Sequence, residues 1–432
     1  MISYHKFTLA NGLRVIVHED PETPLAVLNL LYDVGARDED PQRTGFAHLF
    51  EHLMFEGSEN VESYDEHVHR AGGESNAFTS WDMTNYFIML PAENIETAFW
   101  LESDRMLALD IDQESLSVQI GVVSEEFKET HINQPYGDWM HLLRALSYTT
   151  HPYQWPVIGK DLSHIENATL PDVKAFFAKH YRPDRAILCV AGNVEQKQIK
   201  TLAEKWFGGI KPSPVPYLRK LPQEPEQTEA RRQTVKANVP LDALYMGFKM
   251  CRRSDPDFHA TSVIAELFSG GASGRMYQSL VQQKQLFSSV YGYQWDEFDE
   301  GLFQVQGHLR SGVSMDDAES AVWEELHKLQ QEAISAEELQ KIINKIEASI
   351  VFNEVNLRDR AFSLAYYELL GNIDEVNTEI EKYALVTPAD VQRVAKYLFR
   401  PERCSTIHYF SDSDAEQKYG VREQEAAMEM DM

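Results

Sequence analysis

Cysteine is scarce in this 432-residue chain: Cys189, Cys251 and Cys404 are three, far apart and without a C-x-x-C pair. An odd, scattered set argues against a disulfide framework and fits a reducing compartment. Long apolar runs are missing as well. None reaches the ~20 residues that span a bilayer. The opening "MISYHKFTLANGLRVIV" has no charged segment followed by a long apolar one. Neither a secretory leader nor a membrane partner is expected, and the default location is cytoplasmic. Basic residues are also few, 40 against 68 acidic, for a net charge of −28. A phosphate-binding surface needs clustered Lys and Arg, so nucleic acid is not an expected partner.

What is present is enough apolar material for large cores: 43% hydrophobic and 11% aromatic residues. The length points to two or three domains. Phe7–Leu9 and Leu13–Val17 flank Asn11-Gly12 and predict a hairpin. "LAVLNLLYDVG" (Leu25 to Gly35) predicts a buried strand, and helices are expected up to Gly72-Gly73, from Glu93 to Leu109 and from Gln113 to Thr130. "KPSPVPYLRKLPQEPEQTE" carries five prolines without periodicity and has the composition of a semi-rigid linker.

Either side of that linker the sequence repeats. "ATLPDVKAFFAKHYRPDRA" matches "VTPADVQRVAKYLFRPERC" with six identities at a constant offset of 218. Each copy predicts a Thr-capped helix, an Arg-Pro turn and a strand. The expected organisation is an α+β fold of two duplicated domains, 1–210 and 232–432, joined by a Pro-rich linker at 211–231.

The stretch with the most chemistry is "TGFAHLFEHLMFEGS" (Thr44 to Ser58), in which His48, Glu51 and His52 stand as H-x-x-E-H. Chance gives roughly 0.05 matches to this pattern in a chain of this composition. On a helix His48 and His52 are one turn apart on one face and both imidazoles can reach one ion. Glu51 is beside them, placed to accept a proton from water. Imidazole and carboxylate suit Zn2+. The counter-reading is a set of polar residues in an ordinary helix, but two His and a Glu buried in an apolar run need partners.

A catalytic zinc needs a third ligand. In "ESLSVQIGVVSEEFKET" the positions Leu116, Ile120, Val123 and Phe127 form a helical stripe. Glu126 projects between Val122 and Val123, inside the apolar arc, where a carboxylate must be paired. Glu125 and Glu129 read as solvated. Gln119, two turns before Glu126, is a candidate to steady a ligand. Near offset 214, "TSVIAELFSGG" (Thr261 to Gly271) lies over the motif helix with Ser262, Ala265 and Glu266 at the positions of His48, Glu51 and His52. The second half is expected to keep the scaffold without the ligands.

These motifs resemble the pitrilysin family of zinc metallopeptidases, which includes insulinase and mitochondrial processing peptidase. "HLFEHLMFEGS", "AGGESNAFTSWDMTNYFIMLP", "VVSEEFKE", "HPY" and "AGNV" all take part, across nearly the whole chain. The resemblance implies that each half is a largely antiparallel mixed sheet with flanking helices. It implies Zn2+ on His48, His52 and Glu126, with Glu51 as general base in a zinc-dependent endopeptidase. Gln119 replaces a glutamate usual beside the site. Asn76, Ala77 and Phe78 match an edge strand that pairs with substrate backbone. The family's Arg and Tyr in the second half fall here on Val281 and Ser288, with Arg275, Tyr291 and Tyr293 nearby but out of register. That departure implies the zinc-bearing subunit of a heterodimer whose related partner chain supplies the Arg/Tyr pair, with a homodimer as the alternative. A non-catalytic assembly subunit and a structural zinc site remain as other readings.

Overall fold

The computed structural model describes residues 1–412 except 213, 214 and 216. The acidic segment Arg422 to Met432 lies outside the described residues. The first half runs β1 (His5–Thr8), β2 (Arg14–Glu19), β3 (Leu25–Tyr32), α1 (Phe46–Leu53), α2 (Tyr64–Arg70), β4 (Glu74–Thr79) and β5 (Thr84–Pro91). It continues with α3 (Ile95–Leu107), α4 (Gln113–Phe127), α5 (Trp139–Ser147), α6 (Leu162–Glu166), α7 (Leu170–His180), β6 (Ala186–Gly192) and α8 (Gln196–Trp206). The second half contains β7 (Arg231–Ala237), β8 (Ala243–Lys249), α9 (Phe258–Ser269), β9 (Phe287–Gln294), β10 (Leu302–Leu309) and α10 (Met315–Gln331). It ends with α11 (Ala336–Asn353), α12 (Leu357–Leu370), α13 (Glu379–Ala384), α14 (Pro388–Leu398) and β11 (Cys404–Ser411).

The two sheets carry the duplication. One has the order β1-β2-β6-β3-β5-β4, the other β7-β11-β8-β10-β9. Without β1 the orders coincide strand for strand. In each, a single parallel pair, β2 with β6 or β7 with β11, opens an otherwise antiparallel run. The offset of 218 carries Leu170–His180 onto Pro388–Leu398 and the start of β6 at Ala186 onto the start of β11 at Cys404. The helices share a cap chemistry too. Thr387 accepts from the Asp390 backbone N–H, while Thr169 donates its hydroxyl to Asp172.

The contiguous domains expected at 1–210 and 232–432 are corrected by the packing. One compact unit is 1–127, 151–222 and 348–380; the other is 128–150, 223–347 and 381 onward. The physical reason is a reciprocal exchange of equivalent helices, α5 and α12, whose first residues Trp139 and Leu357 are again 218 apart. In the second unit α5 buries Leu143 and stacks Trp139 on Tyr245 at 5.0 Å, covering the sheet formed by β7–β11. In the first unit α12 buries Ala361, Leu364 and Ala365, and Arg360 on it donates to Asp20 at 2.7 Å, beyond the end of β2. The segment 211–231 divides accordingly: Arg219 forks onto Asp38 in the first unit and Glu224 meets Lys249 at 2.9 Å in the second.

The first unit's core lies between its sheet and α1, α3, α4 and α7. Leu28, Leu30, Tyr32, Tyr86 and Ile88 alternate onto the face that meets Leu49, Phe50 and Leu53. Among the described residues no helix is long and apolar enough to cross a membrane.

Candidate metal centre

Helix α1 forms because Phe46, Leu49, Phe50 and Leu53 recur at i, i+3, i+4 and i+7 and are all buried. Phe50 packs between Phe176 at 5.2 Å and Tyr181 at 5.0 Å. The helix opens at Gly45 with φ +88, where a Cβ would meet the Ile158 carbonyl at 2.6 Å, so only glycine fits. A glycine cannot cap the helix with a side chain. Glu39 does so from a distance, accepting from the Gly45 N–H at 2.9 Å and the Ala47 N–H at 2.8 Å. Burial pushes the Glu39 carboxyl up to about 8. At the other end the buried Arg105, paired with Glu102, reaches the Met54 carbonyl at 3.4 Å.

With the apolar side fixed, His48, Glu51 and His52 fall together on the half-exposed side of α1. The His48 and His52 rings lie 4.9 Å apart, near perpendicular. Helix α4 brings Glu126 to both: Oε1 is 3.7 Å from His48 Nε2 and Oε2 is 3.4 Å from His52 Nε2. The three ligand atoms all lie within 4.8 Å of one another. This donor set fits a zinc ion: two imidazoles and one carboxylate converge, three of the four ligands that a tetrahedral zinc takes. Burial also pushes His48 down to about 4, so its ring is neutral with a free lone pair near pH 7. His48 Nδ1 is buried without a hydrogen-bond partner.

Glu126 reaches the cluster on terms other than those expected from an apolar arc. Val118 and Val122 are exposed at 52% and 44%, and Glu126 is half-exposed beside them. The buried stripe is Leu116, Val123 and Phe127, with Ile120 half-buried. Glu125 and Glu129 are exposed, as a solvated face requires. Gln119 donates to Glu56, three residues after Leu53.

Glu51 is steadied by a residue whose role the sequence did not disclose. Its Oε2 accepts from the Thr79 hydroxyl at 2.6 Å. Burial raises the Glu51 carboxyl above the usual carboxylate range, while the Thr79 hydroxyl and, more weakly, the Thr79 backbone N–H pull it back. Thr79 ends β4, the strand with Asn76, Ala77 and Phe78. Among the described residues that strand has one strand neighbour, β5. Its exposure alternates, with Glu74, Asn76 and Phe78 exposed and Ser75, Ala77 and Thr79 half-buried. Phe78 meets Phe362 of α12 at 5.3 Å. The Ala77 N–H donates to Asn76 Oδ1 at 2.8 Å.

The second unit repeats the scaffold without this chemistry. On α9, Ser262 receives a bond from Gln294 at 2.6 Å and Glu266 pairs with Lys345 at 2.6 Å. Val281 is buried and the Ser288 hydroxyl bonds the His308 carbonyl. Of the neighbouring groups, Arg275 is paired with Glu338 and the Tyr293 hydroxyl with Gln304 and Gln306; Tyr291 is 52% exposed.

Two family models match the chain. Residues 14–156 match the family model described as Insulinase (Peptidase family M16), and residues 167–346 match Peptidase M16 inactive domain. The chain is 29% identical over 413 residues to the zinc protease PqqE of Helicobacter pylori, covering 94% of this chain and 92% of the relative. A crystal structure of a protease from Helicobacter pylori superposes with a TM-score of 0.90 at 28% identity, over 95% of this chain and 100% of that one. The periplasmic protease PqqL from Escherichia coli shares the fold at 18% identity with a TM-score of 0.77, over 96% of this chain and 48% of that one.

Proposed function

Because the chain belongs to the M16 (insulinase) peptidase family, we propose that it is a zinc-dependent endopeptidase acting on peptides or unfolded polypeptide segments. The observation that carries this reading is the convergence of His48, His52 and Glu126 beside Glu51. His48, His52 and Glu126 would hold Zn2+. When bound, zinc supplies Lewis-acid chemistry, polarising a peptide carbonyl and acidifying water. Glu51, with Oε2 held by Thr79, accepts the water proton and returns it to the leaving amine. The open edge of β4 holds substrate backbone as an added strand, which favours extended or unfolded polypeptide.

The reading extends to assembly and location. The chain acts as the zinc-bearing member of a dimeric chamber whose related partner supplies the Arg and Tyr absent at Val281 and Ser288; a homodimer is the alternative. Three free cysteines, two of them buried, suit a reducing cytoplasm. The rival reading, a non-catalytic assembly subunit, draws on the match of residues 167–346 to a domain described as inactive. Metal analysis joined to a peptide-cleavage assay separates the two. The unsubstituted chain should carry about one zinc and cleave, alone or with a related partner, whereas Glu51→Gln should keep the zinc and lose roughly 10²- to 10⁴-fold in turnover. Zinc without cleavage in any pairing would sink the peptidase reading.

A further inference from the structure

Resting on the peptidase reading, we propose that Thr79 is a positioning residue that closes the last rung of the substrate ladder and aims Glu51 at the bond to be cut. Ser80 donates its N–H to the Met83 carbonyl at 2.8 Å, and the β4–β5 register places Phe78 opposite Asn85 and Asn76 opposite Phe87. In an antiparallel pair, the N–H and C=O of a residue point to the same side, and the side alternates along the strand. Phe78, Asn76 and Glu74 therefore bond to β5, while Thr79, Ala77 and Ser75 turn their N–H and C=O to the open edge. The Ala77 N–H obeys this rule, since it is met by the Asn76 side chain and not by β5.

Three rungs thus face the open edge, and they differ. Ser75 is open. Ala77 is covered only by Asn76 Oδ1, a single neutral acceptor on a strand residue that a peptide carbonyl can displace. Thr79 is engaged by Glu51 through the 2.6 Å hydroxyl bond, which sets the carboxylate beside this rung. A bond to an ionised acceptor is about twice as strong as a neutral one, so a substrate carbonyl does not take this rung. The ladder stops at Ala77, and the next peptide unit of the substrate arrives at Glu51.

Two consequences follow for one residue. The stop fixes register, because a slide of the substrate by two residues toward α1 would have to break the Thr79–Glu51 contact. The hydroxyl fixes the base, because it occupies Oε2 and leaves Oε1 to face water. Threonine suits this work: its β-branch restricts χ1, so the hydroxyl is held in one direction by the strand itself.

The test uses the full-length, zinc-loaded chain with a fluorogenic twelve-residue peptide that the unsubstituted chain cuts at one bond. Thr79→Val should lower kcat by roughly 10- to 100-fold with KM changed less than about 2-fold, and mass spectrometry should find new cuts at neighbouring bonds. Thr79→Ser should restore both rate and single-site cutting. Unchanged kcat and a single cut in Thr79→Val would overturn the inference, as would a loss that Thr79→Ser does not rescue. A second measurement needs no turnover. Amide hydrogen exchange at Thr79 should quicken by about 10-fold or more in Glu51→Ala, while exchange at Ser75 stays as it was. Equal exchange at Thr79 in the two proteins would likewise overturn it. If no peptide is cut by the unsubstituted chain, the peptidase reading fails by itself, and the exchange measurement still decides whether Glu51 closes the Thr79 rung.

Discussion

His48, Glu51 and His52 are legible in the sequence because their geometry is local: the helix repeat alone brings i and i+4 together. Glu126 is a different case. Helical spacing singled it out from Glu125 and Glu129, but the supposed burial of its neighbours holds at Val123 and is wrong at Val122, which is exposed. It meets both imidazoles from a half-exposed position, so its side chain can rearrange when a ligand binds. Replacing it should therefore cost metal affinity more than fold: Glu126→Gln is expected to weaken zinc binding by about 10- to 100-fold with an unchanged melting temperature in the metal-free chain, while Glu125→Gln alters neither. Competition with a chelator, read by zinc content, checks this. Glu39 and Thr79 could not be found the same way. Each acts through a contact between segments, Glu39 on the first turn of α1 and Thr79 on Glu51, and no spacing in the sequence encodes such a meeting.

Elements were legible where a period or a turn residue marked them. The Asn11-Gly12 turn gives β1 and β2, with Gly12 at φ +92 and its N–H bonded to Leu9. The repeat at offset 218 gives α7–β6 and α14–β11 together. What joins elements is less visible. In the second unit Glu319 of α10 accepts from Arg232 of β7 at 2.7 Å and pairs with His408 of β11 at 2.6 Å. Burial alone would raise this carboxyl from 4.5, yet the bonds from His408 and Arg232 hold it down at about 2. A carboxyl depressed by folding stabilises the fold above its unfolded value and ceases to do so as pH falls through the folded one. Glu319 should thus contribute full stability above pH 4.5 and lose it progressively toward pH 2. Glu319→Gln should lower the melting temperature at pH 6 and flatten its decline between those limits, followed by circular dichroism. A decline as steep as that of the unsubstituted chain would show that other carboxyls govern acid unfolding.

At the scale of the molecule, the duplicated α+β architecture was readable, but the exchange of α5 and α12 was not. Both helices carry ordinary amphipathic faces, and a pattern of apolar residues states that a face is buried without stating which sheet buries it. The exchange predicts how the chain behaves when cut. Fragments 1–212 and 217–432, made separately, should each expose the sheet face that the other's helix covers and should aggregate. Produced together, they should co-purify as one complex with the zinc capacity of the intact chain. Independent, soluble folding of either fragment would contradict the packing described for Leu143 and Leu364.

That crossing of helices also bears on why the second half persists. A single-copy ancestor built this way could finish its core only by lending a helix to a twin and borrowing one in return, an interlocked pair of the domain-swapped kind. Fusing two copies through 211–231 turns the loan into an internal one. The second copy then has no need of the metal ligands while remaining the creditor of α12, and α9 carries Ser262 and Glu266 at the positions of His48 and His52. Its redundancy is chemical only; as a structural lender it cannot be dispensed with.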